Sequence, residues 1–246
     1  MAHVIAVAGK GGVGKSTLCA GIGAALAMRG ARVLLVDGDA GLRSLDYMLG
    51  VTEGMVYDAG DVANGRIDPS GAVYASPDFA GLYMLPAPMG KPLAPTMMSA
   101  IVTVLASQFD RVLIDCPAGI GSGLFSAAAP AQEIFLVATV DPISVRSAAE
   151  IRRQMQESGN RNFRLLLNRF SAKCFWNLED YRDLDEVIDA VGAQLLGIVP
   201  EDEQLQMRMK RNWSGKKKQR KLSAVAAFQR IGGRIAGEQI RLPDFE

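Results

Sequence analysis

Residues Gly9-Lys10-Gly11-Gly12-Val13-Gly14-Lys15-Ser16 carry the strongest signal in the chain. They fit the pattern G-x-x-x-x-G-K-[ST]. They also sit in the context it requires, after an apolar run (Val4-Ile5-Ala6-Val7-Ala8) and before a segment near 15–29 that reads as a helix. Glycines at these spacings let backbone N–H groups turn inward around phosphate oxygens, and the helix behind them points its positive end at the same anion. Gly9, Gly11, Gly12, Val13 and Gly14 would form the cradle, with Thr17 in the first helical turn. Lys15 would reach the β- and γ-phosphates, and the Ser16 hydroxyl would ligate Mg2+. A glycine-rich turn matching by chance is the bland alternative, and the strand–loop–helix context argues against it.

Outward from this loop, short apolar runs alternate with helical segments. Val33–Val36, Leu82–Leu85, Val112–Ile114, Ile134–Val137, Phe163–Leu167 and Leu195–Val199 read as strands. Segments 96–107, 143–158, 183–191 and 222–236 read as helices, with a short one near 41–49. Strands apolar on both faces, with helices between them, predict an α/β fold: a doubly wound, mostly parallel sheet flanked by helices on both faces. Asp37, Asp115, Asn168 and Pro200 fall at strand ends. Ligands of open α/β sheets bind beyond these carboxyl ends. With no internal repeat and no linker, 1–246 reads as one P-loop domain.

The 246-residue length suits one large domain, at ~100–200 residues per domain. A 49% hydrophobic and 22% charged composition excludes disorder for most of the chain. No run of about 18 apolar residues predicts a membrane span. Met1-Ala2-His3-Val4 has no basic leader, so no signal peptide is expected. Three scattered cysteines, Cys19, Cys116 and Cys174, fit a reducing compartment and make no C-x-x-C pair. Cys19 and Cys116 are expected to pack in the core. His3 opens a strand and reads as structural.

The net charge of +1 hides an asymmetry. Residues 204–237 contain no Asp or Glu and ten Lys or Arg, from Arg208 to Arg234, which leaves 17 basic against 26 acidic residues elsewhere. Within this segment, 208–221 holds eight basic residues around Trp213. Such a tract suits a membrane surface or DNA, or is a solvated loop between the last strand and the last helix.

Lys10 adds to the phosphate loop. A second lysine near Lys15 repels it unless an anion lies between them. The loop K-G-G-x-G-K-[ST] resembles that of the MinD/ParA family of deviant Walker A ATPases. Asp37-Gly38-Asp39-Ala40-Gly41-Leu42-Arg43-Ser44-Leu45-Asp46 is similar to the first switch of its division-site-positioning members, and Asp115-Cys116-Pro117-Ala118-Gly119 to the second, with cysteine in the usual hydroxyl position. Val56-Tyr57-Asp58, Ser144-Val145-Arg146, Asn168-Arg169 and Val199-Pro200-Glu201-Asp202 follow in family order, over about 1–203.

The resemblance implies ATP and Mg2+ as ligands, ATP hydrolysis, an ATP-dependent homodimer and an activating or effector protein. Lys10 would reach the nucleotide of the opposite subunit, and Asp39 would position the attacking water, with N-capping of the short helix near 41–49 as its bland alternative. Asp115 would hold Mg2+ through water. Asp37 is a carboxylate behind the Mg2+ or a strand-end residue. Asn168 and Pro200 would read adenine, the Asn amide offering both a donor and an acceptor. The protein is expected in the cytoplasm, peripheral to the inner face of the cell membrane if the basic tract binds lipid. The division-site-positioning members of the family usually end in an amphipathic membrane helix; here Leu222, Val225, Phe228, Ile231 and Ile235 form one stripe that suits a packed final helix better. Two other functions share these motifs: a DNA-partitioning or flagellar-positioning ATPase of the same fold, and a P-loop metabolic enzyme that uses ATP to activate a small substrate.

Overall fold

The computed structural model describes residues 2–41, 43–177, 180–203, 205 and 223–243. The basic tract 208–221 lies outside these. In chain order the elements are β1 (His3–Gly9), α1 (Lys15–Ala27), β2 (Val33–Asp37), α2 (Leu45–Leu49), α3 (Ala59–Ala63), β3 (Tyr74–Ala75), β4 (Leu82–Leu85) and α4 (Pro95–Ala106). There follow β5 (Arg111–Asp115), α5 (Ser122–Ala128), β6 (Glu133–Ala138), α6 (Pro142–Glu157), β7 (Phe163–Phe170), α7 (Ala172–Asn177), α8 (Leu184–Val191), β8 (Gln194–Pro200) and α9 (Ala224–Ile235). The strands form one sheet in the order β3-β4-β2-β5-β1-β6-β7-β8. Every pairing is parallel except that of the two-residue edge strand β3 with β4. The doubly wound sheet is therefore present, with a short antiparallel edge beside it.

Strand residues alternate between two cores, as a period of two requires. Ala6, Ala8, Val112, Ile114, Leu136 and Leu167 face one layer with Ile101 of α4, Leu124 of α5, Ile151 of α6 and Val187 of α8. Ile5, Val7, Leu35, Leu113, Val137 and Leu166 face the other, with Leu18 and Ile22 of α1, Leu49 of α2 and Phe228 of α9. Both faces of the central strands are buried, which is why they read as unbroken apolar runs.

Helix α9 is fastened to α1. Its residues Val225, Phe228 and Ile231 are buried, and the Phe228 ring lies so close to Gly21 that a Cβ there would meet it at 2.5 Å. Arg234 donates to the carbonyl oxygens of Leu196 and Ile240. The apolar stripe of the last helix is thus core, and Ser223 caps it by accepting the Ala226 N–H at 3.2 Å. Among the described residues no helix is long and apolar enough to cross a membrane.

Strand β1 lies between β5 and β6, and the order of connections reverses around it. Its carboxyl end, Gly9, opens into the crevice where doubly wound sheets bind ligands.

Candidate functional site

The phosphate loop joins β1 to α1. Gly14 stands at the helix N-cap with φ of 94°, and no side chain caps the first turn, so the positive end of this 13-residue helix is open to an anion. Gly11 and Gly12 are exposed, while Val13 packs inward. Lys15 is nearly buried, and its Nζ donates to the Lys10 carbonyl at 3.3 Å, which folds the side chain back over the loop. Thr17 follows, half-buried, in the first turn. Lys10 itself is exposed.

Three carboxylates converge on this loop. Asp115 ends β5, and Asp37 ends β2 as its register partner. Ser16 and the Lys15 charge both favour the ionised Asp115 carboxylate. Asp37 accepts the Asp39 N–H at 3.0 Å. Burial pushes Asp37 up to about 7, and the neighbouring Asp115 adds to the rise. Burial pushes Asp115 up to about 6, against the pull of Ser16 and Lys15. One oxygen of each, Asp37 Oδ2 and Asp115 Oδ1, is buried with no hydrogen-bond partner among the described residues.

Buried carboxylate oxygens without donors beside a serine hydroxyl make a donor set that suits a hard cation such as Mg2+. Among the described residues no three His, Cys, Asp or Glu side chains group to hold a metal alone. Ser16 and Asp115 are the residues that would hold Mg2+, with Asp37 behind them.

The segment that resembles the first switch leads from β2 into α2. The short helix begins at Leu45 and not near 41, and Ser44 stands at its N-cap without a side-chain bond. Asp39 is therefore not the cap of this helix; its Oδ1 instead accepts the Gly41 N–H at 3.0 Å in a local turn. Arg43 pins the far end of the segment, donating at 2.5 Å to both Asp58 Oδ2 and the Ala87 carbonyl. Asp58 in turn caps α3, accepting N–H groups from Gly60 at 2.7 Å and Asp61 at 3.2 Å. The spacing Asp58-x-x-Asp61 was the available sequence signal for α3, a variant of the capping box.

Asn168 and Pro200 fall on the same rim. Pro200 ends β8, half-buried. Asn168 is buried in β7, and its Nδ2 donates to the Val13 carbonyl at 2.7 Å, a bond to the phosphate loop that the sequence does not announce. Beside the loop, an open cavity of about 460 Å3 is lined by Lys10, Gly119, Ile120, Ile143, Arg146 and Glu150. It lies between the segment that follows β5 and the start of α6.

Of the remaining candidates, the histidine lies apart from this chemistry and two cysteines lie beside it. His3 is at the opposite end of β1, its Nε2 at 3.0 Å from Glu133 Oε2. Cys19 and Cys116 are buried and Cys174 is exposed. Burial raises both buried thiols, and the Asp115 charge adds to the effect.

Residues 4–213 match the model of the CobQ/CobB/MinD/ParA nucleotide binding domain. The septum site-determining protein MinD of Bacillus subtilis is 35% identical over 248 residues, covering 99% of this chain and 92% of its own. MinD of Synechocystis is 32% identical, covering 98% of this chain and 92% of its own. Of solved structures, a chain of the MinC:MinD cell division protein complex of Aquifex aeolicus has a TM-score of 0.88 at 30% identity, with 100% of both chains covered. These matches run past residue 203, so the basic segment lies within the length shared with relatives, not beyond it. The chain belongs to the CobQ/CobB/MinD/ParA family of nucleotide-binding P-loop proteins, within its MinD group.

Proposed function

We propose that the chain is a MinD-type ATPase, a nucleotide-switched dimer that takes part in positioning the division site. The observation that carries this reading is the convergence of Lys15, Ser16, Asp37, Asp39 and Asp115 around the end of β1, with electrostatic coupling among the three carboxylates. Lys15 and the loop N–H groups, among residues Gly9 to Thr17, bind the triphosphate and offset its charge. Ser16 and Asp115 would hold Mg2+, which when bound would supply positive charge to offset that of the transferring phosphate. Asp39, at the mouth of this cluster on the first switch, orients the attacking water. Asn168 and Pro200 border the base.

Lys10 projects from the loop beside the cavity between the second switch and α6. Ile120 and Ile143 are 41% and 66% exposed there, an apolar surface next to a cation. A second copy laid on this face would bring Lys10 to its nucleotide, so that ATP binding and dimerisation become one equilibrium. Hydrolysis then releases the switches and the dimer. The MinC:MinD complex of Aquifex aeolicus supports a protein partner for this chain as well. Its place is the cytoplasm, with membrane or DNA contact assigned to the basic tract 208–221.

The test pairs turnover with phenotype. Purified wild-type protein should release phosphate from Mg-ATP slowly and without a small-molecule co-substrate, and Lys15→Ala should not. Source cells lacking the protein should misplace their septa. Normal septum placement, or turnover that depends on a metabolite, would contradict the reading.

A further inference from the structure

Asn168 does something in this fold that base recognition does not require. It lies 155 residues from Val13, yet its Nδ2 sits 2.7 Å from the Val13 carbonyl, in a buried position. A carbonyl only accepts, so the amide must face it with nitrogen. The amide also fills the space beside Gly14, where a Cβ would come within 2.4 Å of Nδ2. One amide nitrogen therefore both hydrogen-bonds the Val13–Gly14 peptide and packs against Gly14.

The chain bends to make this contact. Arg169 has φ of 53°, the only non-glycine residue with positive φ among the described residues. The β7–β8 register is irregular between Leu167 and Phe170. Leu167 and Phe170 consequently both pack in the layer of α6 and α8, although a regular strand would send them to opposite faces. The kink takes up one step of alternation just after Asn168, leaving its side chain directed at the phosphate loop. An arginine in the left-handed region is strained, and such strain persists where the surroundings impose it.

Resting on the ATP-site reading above, we infer that Asn168 is a positioning residue for the phosphate loop itself. By holding the Val13 carbonyl, it keeps the Val13–Gly14 peptide from rotating. Rotation is otherwise easy at a glycine with positive φ, and it would turn a carbonyl oxygen toward the phosphates in place of an N–H. The loop is thus preset for a polyphosphate before any base is bound, and the preset comes from a strand that also borders the base.

Asn168→Ala and Asn168→Asp test this, the second being nearly isosteric and unable to donate at neutral pH. Calorimetric titrations with Mg-ATP, Mg-GTP and Mg-tripolyphosphate compare ligands that share phosphates and differ in base. Loop positioning predicts a parallel loss for all three, about 10-fold, as for a buried carbonyl left unpaired. It also predicts faster hydrogen exchange at the amides of Gly11 to Lys15 in the nucleotide-free variants, with melting temperature checking the overall fold. If Asn168→Ala does not fold, Asn168→Asp reads the same contact. A loss confined to Mg-ATP, or none, overturns the inference. A wild type that binds none of the three ligands overturns the ATP-site reading instead.

Discussion

Asp37 and Asp115 face each other as register partners at the carboxyl ends of β2 and β5, both buried, each with one oxygen that has no hydrogen-bond partner among the described residues. Two like charges out of water repel one another and lose hydration, so the arrangement costs stability when nothing binds there. A cation with its phosphate ligands would remove that cost.

The pair has a pH signature in the nucleotide-free protein. Burial raises Asp37 to about 7 and Asp115 to about 6, above the ordinary value of 3.8. The native state therefore holds more protons than the unfolded chain between about pH 4 and 7, and stability falls as pH rises through that window. At about 1.4 kcal/mol per pH unit, the loss amounts to a few kcal/mol. The melting temperature should drop from pH 5.5 to pH 8, and Asp37→Asn should flatten the drop. An unchanged slope in Asp37→Asn would mean that other groups cause it.

Lys10 and Lys15 should separate cleanly by substitution. Lys15 is folded over the loop and nearly buried, so Lys15→Ala should abolish measurable Mg-ATP binding. Lys10 is exposed, so Lys10→Ala should bind nucleotide as a monomer yet lose ATP-dependent dimer and most turnover. Calorimetry with parallel light scattering distinguishes the two; equal binding defects would remove the reason to assign Lys10 to the partner's site.

Helix α9 should behave as core. Phe228→Ala should cost about 3–5 kcal/mol, as for other buried aromatics. Gly21→Ala should cost about 1–3 kcal/mol by overpacking, because its Cβ would meet the Phe228 ring. In the Phe228→Ala background the same change should cost less, a coupling that urea denaturation can measure. Additive losses would contradict the packing of α1 on α9.

The three thiols should differ in reactivity. Burial raises Cys19 and Cys116 and excludes reagent, whereas Cys174 is exposed. Mass spectrometry after brief maleimide treatment should find Cys174 modified alone in the native protein, and all three in denaturant. Native labelling of Cys116 would place the second switch in a more open state.

Much of this was legible because the decisive signals are local. The loop Gly9–Ser16 announces itself through glycine spacing, and β1, β2 and β5 through apolar runs that end in a glycine or an aspartate. The final helix could be read as packed from the stripe Val225, Phe228 and Ile231. Helices α3, α5 and α7 escaped: α3 spans only Ala59–Ala63, the glycines around Ser122 mask the periodicity of α5, and α7 spans only Ala172–Asn177. Asp39 illustrates a different limit, since a carboxylate ahead of a short helix suits either a cap or a catalytic role, and only the start of α2 at Leu45 removes the cap. The contacts Asn168–Val13 and Arg43–Asp58 join distant segments, and no spacing rule encodes a bond across 155 residues.

The central claim, that nucleotide state and dimerisation are one equilibrium in this protein, is tested most directly by light scattering of Asp39→Ala with Mg-ATP and with Mg-ADP. Slowed hydrolysis should trap the ATP state, giving twice the monomer mass with Mg-ATP and the monomer mass with Mg-ADP. The same mass with both nucleotides, whether monomer or dimer, would contradict the account.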